Sequence, residues 1–109
     1  IRFAKLYKAK EETFWGVAGL GDLATTCFSP DSRNRTLGER IGKGESLKDI
    51  LAGMTMVAEG VATSKSLYAL SRKHKIDMPI SHEVYNTLFK NKSPQKAVES
   101  LMNRPLKAE

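Results

Sequence analysis

Apolar residues recur every three to four positions along most of this 109-residue chain, the spacing that lines one face of an α-helix. Phe3, Leu6 and Tyr7, with lysines between them, predict the end of a helix within residues 1–9. A short helix is expected over 23–27, interrupted by Pro30, and a longer one over 32–43, with Leu37 and Ile41 facing the core and Gly44 ending it. Ser46 and Asp49 form a capping box with aspartate in place of glutamate, followed by the stripe Leu47, Ile50 and Leu51 and a stop at Gly53. Val61, Ser64, Leu67, Tyr68 and Ser71 mark a long helix over 59–75. Residues 76–80 read as a connector fixed by Pro79, with Ser81 capping a helix that pairs Val84 with Leu88 and Tyr85 with Phe89. Ser93-Pro94 is a cap followed by proline at the first helical position. Val98, Leu101 and Met102 are expected to bury that last helix before Pro105. No stretch alternates with period two for long enough to make a strand, and no repeat or low-complexity segment is present. The fold class expected is all-α, a bundle of about six to seven helices.

Length and composition narrow this picture. A chain of 109 residues suits one domain with one core. No apolar run approaches the roughly 20 residues that span a bilayer, so no membrane insertion is expected. The formal charge of +6 permits attraction to nucleic acid, lipid headgroups or small anions, but the basic residues are mostly spaced singly, as on solvated helix faces. A lone Cys27 cannot form an internal disulfide and no signal peptide is visible, which points to a cytoplasmic setting. Cys27 reads as a small buried hydrophobe. His74 and His82 have no partner at metal-ligand spacing and read as structural or solvated, so no metal is expected. Because the chain starts at Ile1, within what reads as the end of a helix, it is expected to be a fragment.

The densest chemistry lies between Gly16 and Arg35. Gly16, Gly19 and Gly21 permit tight turns or close approach to a ligand, and Asp22 follows at once. Ser32, Arg33 and Asn34 then place a hydroxyl, a guanidinium fork and an amide at the start of a helix, a set suited to a small anion such as phosphate. The same residues also read as an ordinary helix cap with a solvated arginine. Residues 19–24 fit the dinucleotide fingerprint Gly-x-Gly-x-x-Gly/Ala, but without the strand and βαβ unit that give it meaning. Phe14 and Trp15 are expected to anchor their loop to the core. Glu59, set among small and apolar residues, suits either the first turn of a helix or a polar ligand.

Gly19-Leu20-Gly21-Asp22-Leu23, Thr26-Cys27, Ser32-Arg33-Asn34-Arg35, Val57-Ala58-Glu59-Gly60-Val61 and Met78-Pro79-Ile80 together give the chain a close resemblance to bacterial glycerol-3-phosphate dehydrogenases, from about Phe14 to Leu106. The part it resembles is the C-terminal, all-helical substrate domain, a fold similar to the C-terminal domain of 6-phosphogluconate dehydrogenase. The resemblance implies residues 1–109 as that domain, with an N-terminal dinucleotide-binding domain upstream as partner. It implies NAD or NADP as cofactor and the interconversion of sn-glycerol 3-phosphate and dihydroxyacetone phosphate for phospholipid synthesis. Asp22, Ser32, Arg33 and Asn34 are implied at the glycerol phosphate. Arg33, Val57 and Glu59 are implied at the cofactor, which moves Glu59 from cap toward ligand contact. The proton-transferring lysine of the family matches no lysine in residues 1–10 and is placed upstream, with Asp22 as an assistant, so the fragment alone is expected to be inactive. A homodimer is compatible with this reading. The alternative from another class is a small basic helical module that binds nucleic acid.

Overall fold

The computed structural model describes residues 1–105. The resemblance, expected to reach about Leu106, therefore extends one residue outside the described residues. Seven α-helices are formed among them and no strand: α1 Arg2–Lys5, α2 Asp22–Phe28, α3 Arg33–Gly42, α4 Leu47–Ala52, α5 Glu59–His74, α6 Pro79–Phe89 and α7 Pro94–Met102. A 3-10 turn, Glu11–Phe14, and a π turn, Val17–Gly21, lie between α1 and α2. The expected all-α class is what the chain adopts.

Local chemistry sets most helix ends. The hydroxyls of Ser32, Ser46 and Ser93 accept the backbone N–H groups of Arg35, Asp49 and Lys96, each satisfying one donor that the first helical turn leaves unpaired. Ser46 also donates to the Asp49 carboxylate at 2.6 Å. Gly44, at φ +93°, takes the left-handed conformation just after α3. α5 stops without a glycine: Lys75 itself adopts φ 53°, and the Ile76 N–H reaches back to the Ser71 carbonyl at 2.9 Å. α6 begins two residues before the expected cap Ser81. Pro79 occupies its first position, where a preset φ and a missing N–H cost nothing, so Ser81 lies inside the helix.

The core is small. Leu37, Ile50 and Ala58 are buried together, with Ile41, Leu47, Met54, Val61 and Leu88 packed around them. α5 packs on α6, α6 on α7, and α3 on both α4 and α5. Tyr68 and Tyr85 stack at 3.8 Å across α5 and α6, and Tyr85 meets Phe89 at 5.0 Å. In α7 the buried residue is Ala97. Val98 and Met102, expected inside, are 58% and 78% exposed because α7 packs chiefly on α6 through one side. Trp15 is also largely exposed, and Cys27 lies on the surface rather than in the core.

The accessible surface is 8382 Å², where a compact monomer of 12.1 kDa exposes about 6,000 Å². The radius of gyration, 14.9 Å, likewise exceeds the roughly 13 Å of a compact chain of this length. Much apolar surface is thus left uncovered within this chain, with Val17 and Phe28 the most exposed of the large side chains. No described helix is long and apolar enough to cross a membrane.

Candidate functional site

The approach to α3 is built by short-range bonds. Ser29 Oγ accepts the Asp31 N–H at 3.2 Å, and the Ser32 N–H donates to the Ser29 carbonyl, which turns the chain at Pro30. Ser32 then caps α3. Of the two arginines that follow, Arg35 is committed to structure: its guanidinium donates to Glu39 at 2.8 Å and to the Phe28 carbonyl at 2.8 Å, tying the end of α2 to α3. Arg33 lies at the first position of α3, is exposed, and its side chain makes no hydrogen bond or ion pair among the described residues. It is the arginine whose five donors remain for something else.

One long-range bond joins this helix start to another. Asn34 Oδ1 accepts the Gly60 N–H at 3.0 Å, across 26 residues of sequence. α5 needs that bond, because its N-cap residue is Ala58, which has no side chain able to cap. Ala58 is extended, at φ −80° and ψ 100°, and fully buried, whereas its neighbours Val57 and Glu59 are exposed. The starts of α3 and α5 therefore meet, and Arg33 and Glu59 are the chain neighbours of the two bonded residues. Ser32 and Arg33 precede Asn34, and Val57 and Glu59 lie just before Gly60, so all of them fall within three positions of the bonded pair. Two helix N-termini, each with unpaired N–H groups and the positive end of its dipole, converge beside a free guanidinium, an arrangement that favours an anion.

No hydrogen bond among the described residues ties Asp22 to that group. Asp22 opens α2, is exposed, and its side chain makes no hydrogen bond or ion pair among the described residues. The turn beneath it is held by backbone packing: a Cβ on Gly19 would lie 2.3 Å from the Phe14 carbonyl oxygen. Gly19 is required for close approach of two backbones and not for positive φ, which among the described glycines only Gly44 adopts.

Sequence reasoning did not anticipate two grooves. One of about 350 Å³ runs between α1 and the start of α6, lined by Arg2, Lys5, Trp15, Asp77, Pro79 and Arg104 among others. The other, about 220 Å³, is an apolar slot between α3, α6 and α7 that includes Ile41, Val84, Leu88 and Val98. Neither is lined by Asp22, Ser32, Arg33, Asn34, Val57 or Glu59. Each draws on segments distant in sequence, so no local pattern announces it. His82 is structural: its Nε2 lies 2.6 Å from the buried Ser71 hydroxyl and its ring meets the edge of Tyr68. No group of three or more His, Cys, Asp or Glu side chains placed to hold a metal ion occurs among the described residues.

The family described as NAD-dependent glycerol-3-phosphate dehydrogenase C-terminus matches residues 1–99. Over 108 residues the chain is 50% identical to glycerol-3-phosphate dehydrogenase (NAD(P)+) 1 of Salinibacter ruber, covering 99% of this chain and 32% of that protein. It is 56% identical over 97 residues to the glycerol-3-phosphate dehydrogenase (NAD(P)+) of a Thermoanaerobacter species, covering 89% of this chain and 29% of the relative. The crystal structure of glycerol-3-phosphate dehydrogenase from Coxiella burnetii superposes with a TM-score of 0.90 at 37% identity, over 94% of this chain and 32% of that one. The chain thus spans about a third of the length of the relatives it matches.

Proposed function

The chain belongs to the family of NAD-dependent glycerol-3-phosphate dehydrogenase C-termini, and we propose that in the intact protein it forms the helical side of a cleft where NAD or NADP meets sn-glycerol 3-phosphate or dihydroxyacetone phosphate. The observation that carries this reading is the Asn34–Gly60 bond, which sets the uncommitted Arg33 at the meeting point of two helix N-termini. Arg33 offers a forked pair of N–H donors to the phosphate. Ser32 accepts one backbone N–H and keeps its own proton for a phosphate oxygen. Asn34 spends its carbonyl on Gly60 and retains its NH₂ for the ligand.

The residues present fit the reactive end of a dinucleotide. Val57 offers an exposed apolar contact and Glu59 an acceptor, both held outward by the burial of Ala58 between them. When bound, the cofactor supplies the hydride acceptor; this chain supplies contacts that orient it. Groups for the rest of the dinucleotide, the lysine that handles the hydroxyl proton and the partner for Asp22 fall to an N-terminal dinucleotide-binding domain. That assignment is supported by relatives three times as long and by the apolar surface that α2 leaves uncovered. The exposed lone Cys27 fits a reducing, cytoplasmic protein. Family membership gives no support to a nucleic-acid-binding module.

Arg33→Ala in the full-length enzyme tests the assignment. Loss of charge-assisted hydrogen bonds should lower kcat/KM for glycerol 3-phosphate by about 10- to 150-fold while the melting temperature stays near that of the parent. Steady-state kinetics unchanged by the substitution would remove Arg33 from the phosphate site.

A further inference from the structure

We propose that Gly60 and Asn34 form a positioning clamp that sets Arg33 for the ligand, and that Gly60 is glycine to make room for it. The inference rests on the functional reading above and adds to it a residue that has no side chain with which to touch any ligand.

Glycine is a poor helix residue, and Gly60 sits in the first turn of α5 without positive φ, so neither propensity nor backbone conformation explains it. Its surroundings do. A Cβ there would lie 2.7 Å from Asn34 Oδ1, 3.0 Å from Cγ and 3.2 Å from Nδ2. It would crowd the carboxamide, which would have to move. Both polar groups of Gly60 are engaged, its N–H by Asn34 and its carbonyl by the Ser64 hydroxyl at 2.6 Å. α5 is therefore capped by a side chain from α3, since Ala58 cannot do it.

The clamp has a direct consequence for Arg33. Asn34 and Gly60 are both second residues of their helices, so the bond fixes the two N-termini against each other at the turn that carries Arg33. Breaking it frees the start of α3 to shift, and a guanidinium fork loses its bidentate geometry with small displacements. The obstructing atoms are the far end of a flexible side chain. An added methyl therefore expels the carboxamide rather than preventing folding.

Full-length enzyme carrying Gly60→Ala, Asn34→Ala and both substitutions provides the test, read as KM for glycerol 3-phosphate, kcat and melting temperature. Gly60→Ala should raise KM by about tenfold, the equivalent of one well-placed hydrogen bond to a charged group, with kcat changing less. Added to Asn34→Ala, the same methyl should cost under about twofold more, because the group it expels is already gone. Hydrogen exchange at the Gly60 amide should accelerate in Asn34→Ala, a variant that removes atoms and crowds nothing. A lowered melting temperature with unchanged KM, or additive effects of the two substitutions, overturns the clamp. If Arg33→Ala impairs catalysis and Gly60→Ala does not, the clamp fails and the functional reading stands. If Arg33→Ala is silent, both fall.

Discussion

From Arg2 to Phe28 the chain makes two short α-helices and two tight turns, and no side chain in them is buried; from Arg33 to Met102 five helices bury Leu37, Ile50, Ala58, Ser71 and Ala97. The first region does not lack apolar residues. Val17, Leu20, Leu23 and Phe28 are 56–88% exposed, and Trp15 is 59% exposed. What it lacks is a second layer to pack against. An amphipathic helix gains most of its stability from burying its face, and within this chain only the later region supplies facing helices. Among the described residues, polar ties hold the earlier region to it: Arg2 donates to the Asp77 carbonyl at 3.0 Å and pairs with its carboxylate, and Arg35 donates to the Phe28 carbonyl. The same amino-acid alphabet thus makes a core in one place and an uncovered apolar face in the other, according to what lies opposite.

The sharpest way to break this contrast is to remove one buried side chain and one exposed one. Ile50 is completely inaccessible at the centre of the core cluster. Ile50→Ala should destabilise this chain by about 2–5 kcal/mol, through lost transfer energy and the cavity left behind. Val17→Ser, at a position 88% exposed, should stay within about 0.5 kcal/mol. Urea denaturation of both variants decides the matter, and equal losses would mean that Val17 is packed.

A smaller and more local effect belongs to Gly19. A methyl there meets the Phe14 backbone at 2.3–2.6 Å, and backbone cannot swing aside as a side chain can. Gly19→Ala should separate the 3-10 turn from the π turn at a cost of about 1–3 kcal/mol. Because that segment contributes nothing to the core, the loss should appear as faster proteolysis near residues 10–21 with the denaturation midpoint of the later helices unchanged. A midpoint lowered as far as that of Ile50→Ala would show one cooperative unit where the packing indicates two.

What could be read from the sequence divides along the same line as the packing. Caps are written in a few consecutive residues, so Ser32, Ser46, Ser93 and Gly44 were legible and are found in place. The start of α6 was misread because Ser81 and Pro79 both signal a helix start and the proline prevails. Burial was less legible: Val98, Met102, Trp15 and Cys27 look internal by type, but burial depends on a neighbour that the local pattern does not name. The site residues Ser32, Arg33 and Asn34 stood out by chemistry. The bond from Asn34 to Gly60 did not, since nothing local announces that an uncapped α5 takes its cap from another helix.

The smallest effect expected is electrostatic, at the joint between α3 and α4. Arg40 near the end of α3 donates from Nε to both carboxylate oxygens of Glu45, at 3.0 and 2.9 Å. That side-chain hydrogen bonding, reinforced by the Arg40 and Lys43 charges, holds the Glu45 carboxyl below the ordinary carboxylate range against the opposing effects of desolvation and Asp49. A carboxylate whose pKa is lower folded than unfolded binds fewer protons in the native state. Its contribution is therefore complete above the unfolded pKa and fades as pH falls through the folded one. Both groups are solvent-accessible, so the contribution is slight and screened by salt. Arg40→Gln should return the Glu45 titration, followed by carboxyl NMR shifts, to the ordinary range. The variant should be marginally less stable than the parent at neutral pH, and the two should converge once Glu45 is protonated in both. If Glu45 titrates identically in the two proteins, the Arg40 contact is not maintained in solution. The joint would then rest on the Glu45 N–H bond to the Arg40 carbonyl and on the apolar packing of Leu37, Ile41 and Ile50.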